Sequence, residues 1–138
     1  GAQSLPQAVA GASLQGAHAV SFAEAVEARL RGESVISFSH FLPRQQLLPE
    51  KRFLLYPHLA KAVGSLPLGA RVAGLRPTVH LFGHTHFAWD TVLDDGVRFV
   101  QAPLGSPREW RTRPRALRLE GGVPALLWRG QSSAAPLP

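Results

Sequence analysis

The chain contains no cysteine, no methionine and no asparagine among its 138 residues. Without cysteine there is no disulfide, no thiolate nucleophile and no cysteine-ligated zinc, and the redox compartment is left open. Without methionine, Gly1 is not a retained translation start, so the expectation is a processed product or a piece of a longer chain. Long hydrophobic runs are missing too. The longest are pieces such as VPALLW, far short of the ~18–20 residues of a membrane span. The opening GAQSLPQAVAGASLQ lacks the basic-then-apolar order of a signal peptide. These absences predict a soluble chain with no membrane partner, cytoplasmic by default. Lysine is scarce, with 2 against 13 arginines, and aspartate occurs only at 90, 94 and 95.

What is present points to a globular protein. Apolar residues make up 45% and charged residues 17%, and a chain of this length suits one domain able to bury roughly two thirds of its unfolded surface. The net charge of +6 fits an anionic partner in principle. Five arginines cluster at Arg108, Arg111, Arg113, Arg115 and Arg118, but Trp110 is the only aromatic among them, so a base-stacking platform is not indicated and nucleic acid is disfavoured. Arg111 to Arg118 read as a solvated face.

Residues 1–17 read as a flexible lead-in and 130–138 as a disordered tail, with one domain over 18–129. Ser21 and Glu24 form a capping box ahead of a helix that stops near Gly32. SVISFSH (34–40) reads as a short buried strand, and FLPRQQLLPE as a loop broken by Pro43 and Pro49. Helices are expected around His58 to Val63 and within Leu68 to Leu75, the second closed by Arg76-Pro77. TVHLFGH (78–84) is a second buried strand. HFAWDTVL and VRFVQAPL form a hairpin around Asp95-Gly96, and RALRLE with VPALLW form another. Helix, strand, helices, strand and hairpins give an α/β layout with its working face at the strands' C-terminal ends.

The chemistry concentrates in LFGHTHFAWD (81–90). Histidine is the commonest metal ligand, and in an extended chain residues i and i+2 project to one face. His84 and His86 are so spaced that each could serve one of two ions about 3.5–4 Å apart. Gly83 lets the backbone pass close by. His40 likewise ends the apolar run VISFS. His80 is expected as a hydrogen-bonded core histidine, with a supporting role to the site as the alternative. His58 reads as structural or exposed, and His18 as ordinary. Asp90 could orient a ligand imidazole. Arg108 is expected either to pair with Glu109 or to bind a substrate phosphate.

VHLFGHTH, with SHFLP upstream, closely resembles the C-terminal half of the calcineurin-like metallophosphoesterases, over about Ser34 to Trp110. QAPLGSPREW (101–110) also resembles the stretch after the hairpin in some members. The resemblance implies a four-layer α/β/β/α sandwich and hydrolysis of a phosphate-ester substrate at two divalent metal ions (Mn, Fe or Zn). Carried over, His40 and His84 would hold the second ion and His86 the first, as positioning ligands; no residue of this chain would be a catalytic proton donor. The family's D-x-H, G-D and G-N-H motifs have no counterpart here. Two ligands to one ion and one to the other fall short of the three or four that such ions need. The chain is therefore expected to be inactive alone, to require a missing N-terminal half, and to leave a sheet edge and an apolar face uncovered. The competing expectations are a non-catalytic scaffold of the same fold and an arginine-driven nucleic-acid binder.

Overall fold

A computed structural model describes residues 20–50, 58 and 63–119. Among these residues three α-helices and one four-stranded mixed sheet make a mixed α/β fold: α1 (Phe22–Leu30), β1 (Ile36–Phe38), α2 (Leu66–Leu75), β2 (Val79–Leu81), β3 (Trp89–Val92), β4 (Arg98–Gln101) and α3 (Pro107–Thr112). The expected helix around His58 to Val63, the VPALLW strand, the lead-in and the tail lie outside the described residues, apart from an exposed His58 and a buried Val63.

Local chemistry explains the helix ends. Ser21 accepts from the Glu24 amide while the Glu24 carboxylate accepts from the Ser21 amide, so both halves of the α1 box form. α2 starts two residues before its expected first turn, because Ser65 caps it through the Leu68 amide and Pro67 needs no donor there. It ends at Arg76 in the left-handed region, ahead of Pro77. α3 was not expected. Ser106 and Glu109 build a second capping box around Pro107, and six residues from 107 turn helical. Pro114–Leu117 form a 3₁₀ turn, which replaces the strand expected at RALR.

The strand order is β1-β2-β4-β3, with β1, β2 and β4 parallel and β3 antiparallel to β4. The hairpin expected around Asp95-Gly96 is present: Gly96 takes φ 77°, and Asp95 Oδ1 accepts from the Val97 amide. Register places Ser37, His80, Phe99 and Thr91 in one row across the sheet. On that face Phe99 is fully buried with Leu42, Leu47, Val63, Val72, Phe82 and Val97, so α2 docks there through Val72. Val79 and Val100 pack with Leu119 on the opposite face.

That second face is not fully covered. β1 is one of the two edge strands among the described residues, and Phe38 is 82% exposed and Ile36 42% exposed beside the buried Val79. No helix among the described residues is long and apolar enough to cross a membrane.

Candidate functional site

The segments leaving the C-terminal ends of β1, β2 and β4 meet around a cleft of about 440 Å³ that His40, His84 and His86 line together with Gln101 and Leu104. Ligands in open parallel sheets bind in just such a crevice beyond the strand ends.

His80 holds the β1 exit in place. Its Nδ1 lies 2.8 Å from Ser37 Oγ and its Nε2 3.0 Å from Ser39 Oγ. Ser39 gives its only hydroxyl proton to the Phe41 carbonyl (2.6 Å), so it must accept from His80 Nε2–H, and Ser37 then donates to Nδ1. Both ring nitrogens are satisfied in the neutral form. Burial pushes the His80 pKa down to about 4. The ring is the hydrogen-bonded core histidine expected from sequence, and it ties down the two serines that precede and flank His40.

The β2 exit departs from the extended chain expected of HTH. His84 and His86 adopt φ 75° and 56°, both left-handed, on either side of the buried Thr85. Histidine tolerates this region better than most residues, yet each such residue still stores about 1–3 kcal/mol, which persists only where the surroundings dictate it. Here the buried Gln101 dictates it: its amide donates to Thr85 Oγ1 (2.9 Å) and to the Phe87 carbonyl. The two imidazoles reach one cleft because the chain turns around Thr85, not because residues i and i+2 share a strand face. The Gly83 amide donates to the His40 carbonyl (3.1 Å), which ties the exit of β2 to the segment that carries His40.

His40 Nε2 and His84 Nδ1 stand 3.1 Å apart, with Phe41 packed against both rings. Two nitrogens bound to one ion at about 2.0–2.1 Å with angles near 90–110° lie about 2.9–3.4 Å apart. The separation suits a shared cation as well as a direct hydrogen bond. In the direct bond one nitrogen of His84 is left over, and its Nε2 is indeed buried with no partner. Burial first, then the neighbouring His40 and His86, holds the His84 pKa below the ordinary histidine value, which favours the neutral ring a metal needs.

His86 is engaged separately. Its Nδ1 lies 2.9 and 3.2 Å from the two oxygens of Glu109. Glu109 also takes the guanidinium of Arg113, and this ion pair, followed by the His86 contact, holds its carboxyl far below the usual range. Among the described residues no three His, Cys, Asp or Glu side chains are arranged to hold one metal ion.

Two site expectations need correction. Asp90 orients no imidazole through a hydrogen bond; both its oxygens are taken by Arg98, at 2.7 and 2.6 Å. Arg108 is exposed and is not among the residues lining the cleft, and the partner of Glu109 is Arg113. The arginine run is also only partly a solvated face. Arg113 and Arg118 lie over the rings of Phe87 and Trp110, at 5.0 and 5.6 Å. The carboxylate that sequence reasoning missed, Glu109, was signalled by the S-P-R-E pattern of a capping box. No protein-family model, curated protein or solved structure matches this chain.

Proposed function

We propose that this chain is the C-terminal part of a calcineurin-like metallophosphoesterase with a four-layer sandwich fold, hydrolysing phosphate esters with two divalent ions. His40 and His84 serve one ion and His86 the other. The observation that carries this reading is the 3.1 Å approach of His40 Nε2 to His84 Nδ1 at the ends of two parallel strands. The donor set fits: two imidazoles at co-ligand spacing, one of them strained and with its pKa lowered by burial. Bound there, divalent cations supply Lewis-acid polarisation of a phosphoryl oxygen. The chain's own residues fix positions. Ser39 and His80 hold the segment that carries His40, and Thr85 with Gln101 holds the turn that carries His84 and His86. None of the three site histidines serves as the proton donor.

The donor set is also incomplete. Asp90, Asp95 and Glu109 are all committed to arginine partners, so these carboxylates do not complete an ion's shell. The remaining ligands come from an N-terminal half, and the exposed β1 edge with Ile36 and Phe38 is a surface such a half would cover. The lack of a three-ligand cluster among the described residues favours a second reading, a scaffold that has lost its metals.

One experiment separates these readings. The purified chain is expected to hydrolyse p-nitrophenyl phosphate no faster than its His84→Ala variant. Joined to the upstream segment of its coding sequence, it should gain activity that His84→Ala removes. Activity in the isolated chain that depends on His84 would contradict the account. An upstream segment without D-x-H, G-D and G-N-H, and no gain of activity, would leave the scaffold.

A further inference from the structure

We infer that Glu109 is a positioning residue for His86: it fixes the tautomer and orientation of that ring so that Nε2 is the nitrogen offered to the cleft. This rests on the metal-site reading for its purpose, but its physical content can be measured in the metal-free protein.

The carboxylate is held from three sides. The Ser106 amide donates to Oε2 at 2.8 Å, Arg113 donates to Oε1, and His86 Nδ1 sits between both oxygens. Ser106 Oγ in turn accepts from the Glu109 amide, so backbone and side chain are locked in one box. Arg113 is fixed by its position over Phe87, the residue after His86. A carboxylate kept ionised by an arginine can only accept, so the facing imidazole nitrogen must carry a proton. In its neutral form His86 is therefore the Nδ1–H tautomer, with its lone pair on Nε2. A ligating histidine whose other nitrogen donates to a carboxylate has its ring orientation set and its basicity raised. Gln101 holds the backbone of this turn, and the Glu109 contact adds a restraint on the His86 ring itself. The contact spans 23 residues, from a turn after β2 to a helix after β4, so it is a tertiary restraint and not a local accident.

The test is long-range ¹H–¹⁵N correlation NMR on histidine side chains of the metal-free chain, above the pH at which the imidazoles protonate. His86 is expected to show its proton on Nδ1. In Glu109→Ala it should revert to the Nε2–H form that free neutral histidine prefers. Glu109→Gln keeps an acceptor oxygen and should restore the Nδ1–H form. Ser106→Ala weakens the helix cap without removing the acceptor, so it should keep that form too and serve as the control for helix loss. A wild-type His86 protonated on Nε2, or an Nδ1–H form that survives in Glu109→Ala, overturns the inference. Titration with Zn²⁺ supplies the second arm: Glu109→Ala should weaken the His86-dependent binding by about 10–100-fold. Because the proposed site takes its remaining ligands from an N-terminal half, an isolated chain that binds no zinc leaves the tautomer result to decide whether Glu109 positions the ring.

Discussion

Replacing Phe99 with alanine is expected to cost about 3–5 kcal/mol of folding stability, measured as a lower urea midpoint at unchanged slope. Phe99 is fully buried on the central strand β4, and its neighbours Leu47, Val72, Phe82 and Val97 belong to four different segments of the chain. They cannot all close on the cavity together, which places the loss toward the upper end of the range. Domains of this kind have only about 5–15 kcal/mol to lose. The ring also lies 5.8 Å from His80, so the vacancy should loosen the row that anchors Ser37 and Ser39. A loss under about 1 kcal/mol, the range of a tolerated core swap, would mean that this face of the sheet is not the packed core described here.

Acid is expected to unfold the protein earlier than its carboxylates alone would cause, because of His80. Its folded pKa of about 4 lies below the ordinary histidine value of 6.5. As pH falls, the unfolded chain therefore takes up the proton first, and stability declines with it. The contribution of the neutral ring is complete above pH 6.5, falls between 6.5 and 4, and levels off below that. Across the whole window the loss is roughly 3 kcal/mol. His80→Gln, which cannot titrate, should flatten the slope of stability against pH in that window while leaving the fall at lower pH. Equal slopes in the two proteins would show that the buried ring does not carry the effect.

Much of this fold is legible in short local signals. Ser21 with Glu24 marks the start of α1, Arg76-Pro77 the end of α2, and Asp95-Gly96 the hairpin turn, because each depends on chemistry within a few residues. α3 was harder: its six residues, mostly charged or polar, are too few for a helical period, and only the Ser106–Glu109 box announces it. The site was legible in composition and not in geometry. SHFLP and GHTH identify which histidines meet. The left-handed turn between His84 and His86 depends on Gln101, a residue of another strand, which no spacing within the motif reveals. Asp90 failed as a helper for the same reason. The five-residue connection 93–97 sets a register that puts Arg98 diagonally across from it on the same face, and the pair forms there.

The central claim is that His40 and His84 take a single cation between them. The most direct measurement is a Zn²⁺ titration of the chain followed on the imidazole resonances of all site histidines. The account predicts that the His40 and His84 signals change together, at the same zinc concentration, and that His84→Ala abolishes the response of His40. Responses at different zinc concentrations, or a His40 response that persists without His84, would contradict it.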